Sequence, residues 1–250
     1  MNRREFARKT LLASAMVTAT SRVHKASAAT TLEDQPAPGF KPLFNGKDLK
    51  GFTDVNTSED TWWVEDGILK CTGLPIGVMR TEKQYENFVL DIVWRHMKPG
   101  GNSGVFVWAD GKAFGDTPFP TGMEVQMLDT QWPVINERPT EYAHGHLFPV
   151  MGLEGSIPDN PSEAVPGRSY SLENRVNGAG EWNRYIVTCV DGTLKLSVNG
   201  KFVNGIRSPR RKAGYICPEA EGSEVHFGRI DIMELPGGLL TEDQTAPVEG

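Results

Sequence analysis

The sequence predicts an all-β sandwich or jelly roll. Three observations predict it: short runs that alternate apolar and polar residues, tight glycine-centred turns between those runs, and no sustained 3.6-residue apolar period. In chain order, Trp63-Val64-Glu65 and Ile68-Leu69-Lys70-Cys71 flank Asp66-Gly67, a pair that suits a type I′ hairpin because glycine takes a positive φ without steric cost. Phe88–Arg95, Ser103–Trp108 and Met123–Leu128 each read as a strand. Arg184–Val190 turns at Asp191-Gly192 into Thr193–Val198, which turns at Asn199-Gly200 into Lys201-Phe202-Val203, an antiparallel meander. Glu224–Leu235 alternates to the end of the patterned region. Residues 129–181 break the pattern. They are rich in proline and glycine with little periodicity, and are expected to form loops over one face.

Composition narrows the function. A net charge of −6 makes nucleic acid and anionic membrane unexpected partners. No run of 18 apolar residues occurs, so no membrane span is expected. Cys71, Cys189 and Cys217 match no zinc spacing, and an odd count leaves at least one thiol unpaired. They read as buried, inert strand residues, with a single disulfide open in an oxidising compartment.

The first residues read as an address. Arg3, Arg4, Arg8 and Lys9 precede the mild apolar run Leu11–Val17, and Ala26-Ser27-Ala28 offers a small-x-small cleavage site. The arginine pair before Phe6 resembles a twin-arginine signal, with an ordinary secretion signal as the alternative. The expected organisation is a signal peptide at 1–28, a flexible lead-in at 29–40, one β-sandwich domain at 41–236 and a flexible tail at 237–250, in a periplasmic or secreted protein.

Six segments together resemble the 3-keto-disaccharide hydrolase domain family. They are Leu43-Phe44-Asn45-Gly46-Lys47-Asp48-Leu49, Trp63 with Glu65-Asp66-Gly67-Ile68-Leu69, Gly100-Gly101-Asn102-Ser103-Gly104-Val105-Phe106, Gly122 with Glu124, Gln126 and Asp129, Gly180-Glu181-Trp182-Asn183, and Gly214-Tyr215-Ile216. The resemblance spans roughly residues 40–236. It implies the concanavalin A-like lectin/glucanase jelly roll and cleavage of glycosides oxidised at C3, by elimination or hydrolysis. The other readings of the scaffold are a non-catalytic carbohydrate-binding protein and an endoglucanase-like hydrolase.

The candidate site centres on Glu124-Val125-Gln126-Met127-Leu128-Asp129. On a strand, Glu124 and Gln126 share one face about 7 Å apart, and a bulge near Leu128 would return Asp129 to it. Polar groups gathered on a sandwich face are costly unless they serve a site. The segment is similar to the E-x-D-x-x-E strand of glucanases with this fold, but carries Gln126 in place of the middle carboxylate and the shorter Asp129 in place of the final glutamate. Cleavage of a 3-keto sugar needs a base, an enolate stabiliser and an acid. Glu124 or His144 is read as the base, Asn102, Arg80 or a divalent metal as the stabiliser, and Asp129 or a histidine as the acid. His144-Gly145-His146 offers two imidazoles that could chelate a metal. Gly100–Gly104 is read as bringing backbone close to a ligand. Gln126, Asn102, Arg80, Trp94, Arg95 and His146 are the expected sugar-binding residues. The resemblance adds Glu219, placed in a turn after Tyr215-Ile216-Cys217.

Overall fold

The computed structural model describes residues 37–138, 144–163 and 165–249. The segment read as a signal peptide, residues 1–28, and most of the expected lead-in lie outside the described residues. Strands are numbered along the chain. The larger sheet runs, in spatial order, β10 (Ile157–Pro158), β13 (Lys201–Arg207), β12 (Thr193–Val198), β11 (Asn183–Val190), β6 (Phe88–His96), β15 (Val225–Glu234), β4 (Ile68–Cys71) and β3 (Trp62–Glu65), with β1 (Lys41–Pro42) also paired to β15. The smaller sheet runs β2 (Phe52–Val55), β5 (Gly77–Thr81), β14 (Tyr215–Ala220), β7 (Asn102–Ala109), β8 (Gly122–Leu128) and β9 (Leu147–Val150). Every strand pair in both sheets is antiparallel.

The expected hairpins form, for the expected reason. Asp66 and Gly67, Asp191 and Gly192, and Asn199 and Gly200 all have positive φ, as a two-residue type I′ loop requires. Period-2 alternation then sends Phe88, Leu90, Ile92 and Trp94 of β6, with Tyr185 and Val187 of β11, into the space between the sheets. Val105 and Val107 of β7 and Met123, Val125 and Met127 of β8 meet them from the other side. On the outer face of the larger sheet, Asp91 of β6 is fully buried beneath Arg184 (Nε–Oδ1 2.8 Å, Nη2–Oδ2 2.6 Å) and Arg229 (3.1 Å), an ion network that closes that face locally.

Three expectations need correction. Residues 129–181 do more than loop over a face. They supply the edge strand β9, which pairs Phe148 with Glu124, and the short β10. The tail is anchored at several points: Gly238 donates to Glu86, Ala246 is buried and hydrogen-bonded to Ala213, and the backbone N–H of Glu249 donates to the Tyr215 hydroxyl at 2.9 Å. Glu219 belongs to strand β14, in the middle of the smaller sheet. Pro218 disguised that strand, because a residue without an N–H is unusual in a central strand. In β14 it stands in register opposite Val105 of β7, just past a shift in register between Tyr215 and Cys217. All three cysteines are free and buried, and burial pushes the Cys71 thiol up to about 12.

Candidate active site

The face of the smaller sheet turned away from the larger one carries the site. β7 and β8 pair Gly104 with Gln126 and Phe106 with Glu124, so these four side-chain positions share that face while Val105 and Val125 point into the core. Next to β7, strand β14 alternates Tyr215, Cys217 and Glu219 onto the same face. At one end of this surface the carboxylates of Glu124, Glu219 and Glu221 converge, with ligand-capable oxygens all within 4.8 Å of one another. Glu124 and Glu219 are buried and Glu221 is partly exposed at the rim.

The neighbours give the cluster its electrostatics. Burial is the first cause lifting the Glu124 carboxyl well above the ordinary range, and the charge of Glu221 adds to it. Glu219 is raised well above its ordinary value by burial and by the other two carboxylates. Burial pushes Glu221 up to about 7, against the pull of Arg168 and a side-chain hydrogen bond from Asn102. Arg168 draws Glu124 down as well. Its guanidinium lies 3.7 Å from the centroid of the Phe148 ring on β9. The amide of Asn102 accepts from Gln126 Nε2 at 3.0 Å, which fixes both side chains beside the carboxylates. Gly104 makes the convergence possible: a Cβ there would lie 2.6 Å from Glu219 Oε2 and 3.1 Å from Glu124 Oε1.

The structure thus brings together Glu124, Gln126, Asn102 and Glu219 from the sequence reading, with His146 at the edge, its Nδ1 3.5 Å from Arg168 Nη1. The other candidates lie elsewhere. Asp129 follows the end of β8 without a bulge, and its Oδ1 accepts the backbone N–H groups of Gly100 (2.8 Å) and Gln131 (2.9 Å), so it fastens a turn. His144 Nε2 accepts the backbone N–H groups of Arg175 (3.2 Å) and Val176 (3.3 Å), which uses the lone pair a base would need. Arg80 lies at the far end of the face over the Tyr215 ring, 4.5 Å from its centroid, with Nη1 on the Thr81 carbonyl. Trp94 is a core residue, packed edge-on against His96 (5.3 Å) and Tyr185 (5.2 Å). Arg95, one residue on, points to the opposite surface and covers Trp182 at 4.2 Å. Gly101 also has a packing role, since a Cβ there would strike His96 at 2.3 Å.

Glu221 and Arg168 were missed. Glu221 had a signal: it continues the period-2 series of Tyr215, Cys217 and Glu219 on one face. Arg168 had none, because it reaches the cluster from the aperiodic insertion.

The buried histidines carry a pH prediction. Burial lowers His144 to about 4 and His146 to about 3, the latter helped by Arg168. The unfolded chain protonates these rings near 6.5, so the stability they contribute is present above that pH. It is lost as pH falls toward 4 and 3. The raised glutamates act in the opposite sense, so the observable is a difference. Between pH 7 and 4.5, wild type should lose on the order of 5 kcal/mol more stability than a His144→Gln/His146→Gln double variant. Parallel pH profiles in urea unfolding would contradict this.

The 3-keto-alpha-glucoside-1,2-lyase-like domain matches residues 39–233, the family to which the six motifs pointed. No curated protein matches the chain. Among solved structures, the chain is similar to a candidate glycosyl hydrolase from Parabacteroides distasonis ATCC 8503 (24% identity, 79% of this chain and 95% of that one, TM-score 0.58). It is also similar to a protein with a galectin-like fold from Bacillus subtilis (10%, 78% and 94%, 0.52) and to porphyranase B from Zobellia galactanivorans (11%, 81% and 96%, 0.51). At these identities the likeness shows the fold: a concanavalin A-like jelly-roll sandwich. No helix among the described residues is long and apolar enough to cross a membrane.

Proposed function

The chain belongs to the 3-keto-alpha-glucoside-1,2-lyase-like domain family, and from that premise we propose that it cleaves glycosides oxidised to a ketone at C3, by elimination across C1 and C2. The carrying observation is the buried convergence of Glu124, Glu219 and Glu221 beside Arg168. A C3 ketone acidifies the hydrogen on C2. Glu124 removes that proton, and a carboxyl lifted by burial is a stronger base than one in water. The electron pair passes into the ketone to form an enolate, whose oxygen charge Arg168 stabilises. The enolate collapses, the C1–O bond breaks with its electrons going to the leaving oxygen, and Glu124 returns the proton to that oxygen. An unsaturated 3-keto sugar and a free alcohol result, with no water consumed. Asn102 and Gln126, locked to each other, offer amide groups to the sugar hydroxyls. The basic and apolar residues of 3–17 and Ala26-Ser27-Ala28 support a setting in the cell envelope.

One observation favours a second reading. Glu124 and Glu219 are neighbouring buried carboxyls, the kind of pair that glycosidases use as acid and nucleophile on unmodified sugars. The purified protein, offered a chromogenic 3-keto glucoside and its unmodified parent, should release aglycone from the first only. Release from the parent supports ordinary hydrolysis. Sugar binding without release from either supports a lectin.

A further inference from the structure

We propose that Glu124, Glu219 and Glu221 hold one hard divalent cation of about the size of Ca²⁺. The donor set is all oxygen, from two strands and the loop that follows one of them, which suits Ca²⁺, Mg²⁺ or Mn²⁺ over softer metals. Ca²⁺ takes six to eight oxygen ligands at about 2.3–2.6 Å in flexible geometry, whereas Mg²⁺ demands a near-ideal octahedron at about 2.0–2.1 Å and keeps several of its waters. Three protein carboxylates whose oxygens all lie within 4.8 Å of one another therefore suit the larger, less exacting ion.

A second observation points to the same ligand. Glu219 is fully within the fold, yet its Oε2 has no hydrogen-bond partner. A buried carboxylate oxygen left in that state is costly, and a cation satisfies it. That oxygen is aimed at the position where Gly104 omits a side chain, 2.6 Å from where a Cβ would stand. The inference stands on this geometry and does not require the sugar reading. In the reaction above, a bound ion would add its charge to that of Arg168 and would make Glu124, while coordinated, a weaker base.

The test is calorimetric titration of the EDTA-treated full chain with CaCl₂ and, separately, MgCl₂, with a thermal melt of each sample. One Ca²⁺ per chain, tighter than Mg²⁺, and a melting point raised by Ca²⁺ are expected. Glu219→Gln and Gly104→Ala should each weaken Ca²⁺ binding at least tenfold. Glu219→Gln removes a buried charge, so its melting point in EDTA should equal or exceed that of wild type. Glu221→Gln, at the rim, provides a further variant with little risk to folding. No binding at millimolar Ca²⁺, or equal binding by wild type and all three variants, overturns the proposal. Turnover of a 3-keto glucoside is measured separately, with Ca²⁺ and with EDTA. Ca²⁺ binding without turnover sinks only the substrate reading, and turnover by a protein that binds no Ca²⁺ sinks only the ion.

Discussion

Replacing Glu124 with glutamine is expected to lower kcat/KM on a 3-keto glucoside by about 10²- to 10⁴-fold, the usual contribution of a positioned acid–base group. Glutamine keeps the shape and the burial but takes no proton from carbon. It also removes one of three mutually repelling carboxyls, so the melting point should hold or rise. The separation is what makes the substitution informative: a dead protein that melts like wild type has lost chemistry and kept its fold. A folded Glu124→Gln protein with unchanged turnover would take Glu124 out of the reaction. The strand position supports the expected result, because Phe106 and Phe148 flank Glu124 in register on either side and hold β8 whatever its side chain does.

Replacing Trp94 with alanine is the largest expected stability effect. Tryptophan stacks well on sugar rings, and Trp94 is a sugar-binding candidate from sequence alone. In the structure it fills the space between the sheets, fully buried, with His96 and Tyr185 edge-on to it. Truncation leaves a large cavity in a closed core and should cost about 3–5 kcal/mol. For a domain of this size that corresponds to a fall in melting temperature of roughly 6–20 °C. At temperatures where the variant stays folded, KM for a 3-keto glucoside should be near that of wild type. A KM rise of tenfold or more with an unchanged melting point would return Trp94 to the sugar site.

The sandwich was legible because its signals are local. The Asp-Gly and Asn-Gly turns, and the alternation of Phe88 to Trp94 and of Met123 to Met127, each set a backbone geometry within a few residues. Glu124, Gln126 and Asn102 were legible for the same reason, as polar members of alternating strands. What failed was long-range or chemically ambiguous. His144 and Asp129 looked like chemistry, but backbone N–H groups claim them, and no sequence spacing reports such partners. Arg80 and Arg95 sit on strands, yet strand membership does not say which end or which surface of a sandwich they reach. Pro218 hid the central strand that carries Glu219, and the aperiodic stretch around Arg168 gave no sign that its guanidinium would come to rest over the Phe148 ring.

On the proposed reading, sugar is bound and cleaved where β14, β7 and β8 bring Glu124, Glu219 and Asn102 together. The most direct measurement is a crystal structure of the Glu124→Gln protein soaked with a 3-keto glucoside. The oxidised ring is expected in that hollow, with C2 facing residue 124, the ketone oxygen toward Arg168 and hydroxyls on Asn102 and Gln126. A sugar seated instead on the opposite surface, against Trp182 and Arg95, would contradict it.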